Sequence, residues 1–160
     1  MVNESDIAWD DETHGERFAS RRKQLGKAAG GREIGCSMYE IPPGKRPFPY
    51  HFHTANEEAM YVLAGSATLR LAGREVTVRE GDYVAFPVGP AGAHQVINDS
   101  DRPLRILMIS TMREPEIAVY PDSAKVGLFA GSAPGGDPTV RSVFAFLPQA
   151  AEVDYWHGED

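Results

Sequence analysis

The chain has one cysteine, Cys36, so no internal disulfide can form and the composition suits a reducing compartment. No apolar run comes near the roughly 20 residues that a membrane-spanning helix needs. The first residues, Asn3, Glu4, Ser5 and Asp6, are polar or acidic where a signal peptide is basic, so a cytoplasmic location is expected. Basic runs are missing too. Sixteen Lys and Arg stand against 23 Asp and Glu, a net charge of −7, which argues against a nucleic-acid surface and favours solubility. No helix-turn-helix pattern suggests a DNA-binding protein. Uninterrupted helix faces are also lacking, because 16 glycines and 12 prolines break every candidate.

What remains is a succession of short strands. At 160 residues the chain can bury the core of a single domain. The first clear strand spans residues 33–41, ended by Pro42-Pro43-Gly44, and Cys36 within it reads as a small core residue. Residues 59–63 and 67–71 flank Ala64-Gly65-Ser66, and Ala67, Leu69 and Leu71 alternate with Thr68 and Arg70 as in a half-buried strand. Further strands are expected at 75–79, 83–86, 94–98 and 104–111, making an all-β sandwich or barrel. Phe48, Met60, Phe86 and Met108 are expected to line its interior. Residues 1–31 are polar and read as an N-terminal arm with helix or strand near residues 17–25, anchored by Trp9 and Phe18. Residues 116–120, 125–129 and 140–147 are candidate added strands, separated by a Pro/Gly-rich connection at 133–138.

Three of the five histidines form the chemical signal. His51 and His53 flank Phe52, and alternation along a strand turns residues i and i+2 to one face. Glu58 follows, and His94 comes about forty residues later. Three imidazoles with a carboxylate make a mixed nitrogen and oxygen site for a divalent metal. On an octahedral ion that set leaves two positions open, which favours Mn, Fe, Co or Ni over a closed structural site, with Zn as a further candidate. His14 and His157 lie in the polar ends and need no special role.

The order Gly44, His51-Phe52-His53, Glu58, Gly65 resembles the first motif of the cupin superfamily, and Gly81, Pro87, Gly89, His94, Asn98 resembles the second. Two spacings depart from the family pattern, ahead of His51 and between Gly89 and His94, both in Pro/Gly-rich loops that tolerate insertions. The resemblance implies a double-stranded β-helix, or jelly-roll barrel, over residues 32–147, with residues 1–31 as the arm and 148–160 as a C-terminal tail. It also selects Glu58 over Glu57 as the carboxylate ligand. Asn98 is expected to stabilise a turn rather than to bind metal.

Lys45 and Arg46 precede the histidine pair and are candidates for binding an anionic substrate group. Tyr50 and Tyr61, with Tyr83, are candidate phenols for proton transfer. Gln95 should face away from the site by its parity. The chain as a whole is similar to single-domain cupins described as sugar-phosphate-isomerase-like, relatives of mannose-6-phosphate isomerase. That similarity implies a metal-dependent enzyme acting on a small polar metabolite such as a sugar phosphate. Two alternatives stand beside it: a non-catalytic module that binds or senses a small ligand, and a metal-dependent dioxygenase. Open sheet edges suggest a homodimer.

Overall fold

The computed structural model describes residues 1–159. Among these residues thirteen strands form three antiparallel sheets. The largest is built from β1 (Asp10–His14), β2 (Phe18–Gln24), β3 (Ile34–Ile41), β10 (Leu104–Thr111), β5 (Glu58–Ala64) and β8 (Tyr83–Phe86), in that spatial order. A second places β13 (Val143–Pro148), β12 (Lys125–Ala130), β11 (Glu116–Tyr120) and β4 (Phe52–His53) side by side. The third contains β7 (Arg74–Arg79), β6 (Ser66–Leu71) and β9 (His94–Ile97). This is the all-β jelly roll expected from the motifs, and no helix among the described residues is long and apolar enough to cross a membrane.

The apolar core lies between the large sheet and the three-stranded one. Ile41, Met60, Val62, Leu69, Val96, Leu104 and Ile106 are fully enclosed there, and Phe86 and Met108 join them. Phe48 packs against the cluster from its edge. Burying each such side chain contributes roughly 1.5–3 kcal/mol. The inward face changes character along the strands. On β10, Leu104, Ile106 and Met108 give way to Ser110, which lines a cavity of about 950 Å³. On β5, Val62 and Met60 share their face with Glu58, which lines the same cavity. One end of the barrel is therefore a sealed core and the other a polar chamber.

Cys36 departs from expectation. Register places Ser37 opposite Met108 and Tyr39 opposite Ile106, so Ser37, Tyr39 and Ile41 take the inward parity of β3. Cys36 is half-buried outside the core cluster, and burial pushes its thiol upward in pKa. The N-terminal residues are part of the architecture. Strands β1 and β2 form a hairpin whose second strand pairs with β3, extending the large sheet. Trp9 holds it from outside through the cations of Arg21 and Lys23, each 4.6 Å from its ring centre. Phe18 makes a parallel bridge to Arg46. Two of the sheet edges differ: β1 carries Asp10, Asp11 and Glu12, whereas β13 leaves Phe144 and Phe146 about half exposed.

Candidate metal centre

His51 and His53 arrive on the short strand β4 and its approach. His51 exchanges both backbone hydrogen bonds with His94, at 3.1 and 2.9 Å, which ties the four-stranded sheet to the three-stranded one. That bridge sets the imidazoles of His51 and His94 with ring centres 4.8 Å apart, and those of His51 and His53 5.0 Å apart. Glu58 enters from β5. One ligand atom from each of His51, His53 and Glu58 lies within 4.8 Å of the others. His94 adjoins the set through Glu58: its Nε2 is 3.4 Å from Glu58 Oε2, and His53 Nε2 is 3.3 Å from the same oxygen.

Surrounding contacts orient the rings. The Nδ1 of His51 is 2.9 Å from the Pro49 carbonyl, and that of His94 is 2.9 Å from the Gly92 carbonyl. A carbonyl only accepts, so both Nδ1 atoms carry the proton and both Nε2 atoms keep a lone pair. Gly92 makes this possible by lacking a side chain, because a Cβ there would collide with the Pro87 backbone. Phe86 stacks on His94 at 3.8 Å between ring centres, and Tyr120 stacks on His51 at 5.7 Å.

Glu116 is a residue that the motif left out. Its carboxylate is 1% exposed, and its Oε1 stands 3.6 Å from His53 Nδ1. It accepts from the Thr54 N–H at 2.9 Å, the Ala55 N–H at 3.2 Å and the Asn56 amide. Asn56 is itself tied to the chain near Arg113, accepting from the Arg113 N–H at 2.7 Å and donating to its carbonyl at 3.0 Å. The loop between His53 and Glu58 is thus stapled to β11. Its only signal in the sequence was an acidic residue at the head of a candidate strand.

Charge is distributed unevenly over the site. Burial, then repulsion from His94, drops His51 to about 3, so it is neutral at ordinary pH. Burial opposes charge on His53 too, but Glu116 and Glu58 together outweigh it and raise the ring to about 9. Glu58 resists the effect of burial because His53 hydrogen-bonds to it, and falls to about 2. His94 is lowered chiefly by burial. Burial and the carboxylates of Glu58 and Glu116 push Tyr120 up to about 12, so its phenol stays protonated.

The donor set fits a divalent ion. Among the described residues six buried side-chain nitrogens and oxygens lack a hydrogen-bond partner, and His53 Nδ1, Glu58 Oε2 and His94 Nε2 are three of them. Leaving such atoms unpaired is costly, and a cation between the imidazole nitrogens and the carboxylate would satisfy two of the three directly. Glu116 behind His53 matches the carboxylate support that metal-binding histidines use.

Other candidates fall elsewhere. Tyr50 packs beneath the Arg70 guanidinium, 3.9 Å from its ring, and lines a separate shallow pocket. Tyr61 is 38% and Tyr83 63% exposed on the outward parity of their strands, and neither lines the cavity. The cavity phenols are Tyr39 and Tyr120 instead. Lys45 donates to the Glu16 carbonyl at 2.6 Å, holding the hairpin, and neither it nor Arg46 lines the cavity. Gln95 is buried, facing away from the histidines as expected, and donates to the Phe48 carbonyl at 3.1 Å. Asn98 holds a turn, donating to the carbonyls of Ile41 and Arg102 and accepting from Ser100.

Residues 37–110 match the cupin domain family. Among solved structures, a candidate sugar phosphate isomerase from Acidithiobacillus ferrooxidans is 27% identical with a TM-score of 0.80, over 96% of this chain and 95% of that one. A cupin-superfamily sugar phosphate isomerase from Silicibacter pomeroyi is 24% identical with a TM-score of 0.79, over 97% of each chain, which bears on fold alone. A polyketide cyclase from Streptomyces resistomycificus is 26% identical with a TM-score of 0.58, over 72% of this chain and 82% of that one. No curated protein matches the sequence.

Proposed function

We propose that this chain, which belongs to the cupin superfamily, binds a divalent metal through His51, His53, Glu58 and His94 and acts on a small polar metabolite such as a sugar phosphate, in an isomerase-like reaction. The observation that carries the proposal is the pair of unpaired buried acceptors, Glu58 Oε2 and His94 Nε2, beside a chamber lined by His51, His53 and Glu58 and large enough for a metabolite. When bound, a divalent ion there supplies Lewis acidity toward a carbonyl and its neighbouring hydroxyl.

The chain's own residues do the remaining work. His51 and His94 present lone pairs because Pro49 and Gly92 fix their tautomers. Glu116 keeps His53 turned toward Glu58. Tyr120 holds a proton on its hydroxyl and can donate a hydrogen bond to a substrate oxygen. The segment from Gly131 to Asp137 lines the chamber, braced by Arg141 on the Ala133 carbonyl at 3.0 Å and by Gln24 on the Gly135 carbonyl at 2.9 Å. It restricts access of bulk water to the reacting groups. The uncharged, exposed edge of β13 supports a homodimer, which sedimentation showing a strict monomer at micromolar concentration would remove.

The test is to follow aldose–ketose interconversion of sugar phosphates by NMR with metal-replete protein. Turnover in the parent, reduced by orders of magnitude in His51→Ala and Glu58→Ala, is the expected result. Saturable binding with no turnover on any sugar phosphate would make the chain a binding module instead.

A further inference from the structure

The chamber above the histidines is walled partly by residues outside the motif-bearing strands. Arg22 comes from β2, and Lys27 and Arg32 from the segment that follows it. These cations line a cavity in a protein whose net charge is −7. Four carboxylates, Glu33, Glu58, Glu114 and Asp137, share that wall. Asp137 is committed to Thr139, accepting from its N–H at 2.9 Å and its hydroxyl at 2.7 Å. Glu33 and Glu114 are exposed, as are Lys27 and Arg32.

Arg22 differs from the exposed cations. Its side chain is 24% exposed, and its Nε is buried without a hydrogen-bond partner. The ion pair it makes is long, 3.4 Å to an Asp10 carboxylate that is itself 73% exposed and screened by water. Tyr39, a second polar neighbour, lines the same chamber, and the Glu12 carboxylate acts on Arg22 from β1. A guanidinium in this position has donors to spare, and its planar fork matches the paired oxygens of a phosphate or carboxylate.

We infer that Arg22 is the oxyanion-recognition residue of the chamber: it binds the phosphate or carboxylate of a metabolite whose polyhydroxy body reaches His51, His53 and Glu58. The N-terminal hairpin is then part of the binding site, and it supplies what Lys45 and Arg46 do not. The inference rests on the proposed metal-binding chamber, since that defines where the rest of the ligand lies.

Calorimetric titration of the purified chain with glucose-6-phosphate, gluconate and glucose tests it, with metal content measured on the same sample. The parent should bind at least one of the two anions about tenfold or more tightly than glucose. Preference for glucose-6-phosphate assigns a phosphate ligand, and preference for gluconate a carboxylate. Arg22→Gln should lose about tenfold or more in anion affinity with glucose affinity unchanged, and Arg22→Lys should fall between them. Asp10→Asn and Arg46→Gln should bind as the parent does. A folded Arg22→Gln, checked by circular dichroism, that binds anions as tightly as the parent overturns the inference, as does a parent indifferent to charge. A metal-loaded parent indifferent to anions sinks Arg22 and leaves the metal centre standing. Anion preference in a chain that takes up no metal does the reverse.

Discussion

Replacing Glu116 by Gln probes the support behind the histidines without touching them. The carboxylate accepts from three donors, and Gln keeps one oxygen and turns an amide toward the rest. The donors do not all depend on Glu116. Thr54 N–H also reaches the Ile117 carbonyl at 3.2 Å, and the Asn56 amide also reaches the Arg113 carbonyl at 3.0 Å. Ala55 N–H has Glu116 as its acceptor and stands to be stranded. An orphaned buried donor costs about 1–3 kcal/mol, and losing the charge opposite His53 adds to that, so a total near 2–3 kcal/mol is expected. For a chain of this size the melting temperature should fall by about 5–10 °C. Urea unfolding monitored by fluorescence and circular dichroism reads the loss, and metal affinity should fall about 10–100-fold in parallel. A Glu116→Gln variant within about 0.5 kcal/mol of the parent, with metal affinity unchanged, would refute the stapling role.

Three further outcomes follow from the same geometry. In metal-free protein the raised His53, at about 9, contributes stability that is complete below its ordinary 6.5 and is lost as pH rises toward 9. Glu58, lowered to about 2, contributes stability present above 4.5 and lost as pH falls toward 2; pH-dependent unfolding should show both flanks, and flat stability across either window would contradict it. Because His53 must shed that proton to offer a lone pair, metal affinity should rise from pH 6.5 to 9 with proton release in calorimetry; pH-independent affinity would count against His53 as a ligand. Tyr120→Phe should keep the stacking on His51 and stay within about 0.5 kcal/mol of the parent, yet weaken ligand binding or turnover, whereas Tyr61→Phe should leave both intact; equal effects from the two would place the phenol's role elsewhere.

Most of the barrel strands and the candidate ligands were legible because each depends on local pattern or motif. Residues 83–86 and 104–111 were bounded by Gly, Pro and alternating apolar side chains, and the strands match them to the residue. His51 and His53 were read from alternation along a strand and Glu58 from the motif spacing, and the three ligand atoms lie within 4.8 Å of one another. Tyr120 and Glu116 were not, because they reach the site from β11, and only the pairing of β11 with β4 brings them to His53. Proximity in sequence misled for Lys45 and Arg46, whose loop turns to brace the hairpin. Arg22 was hidden for the complementary reason: it lies in a polar stretch without motif, and it joins the chamber only because β2 pairs with β3. Long-range sheet pairing, which periodicity does not encode, accounts for each omission.

The most direct test of the central claim is elemental analysis of the chain purified without added metal, beside Glu58→Ala and His94→Ala. The account predicts near-stoichiometric divalent metal in the parent and its loss in both variants. A parent that carries none, and takes up none when dialysed against Mn, Fe, Co, Ni or Zn, would contradict it.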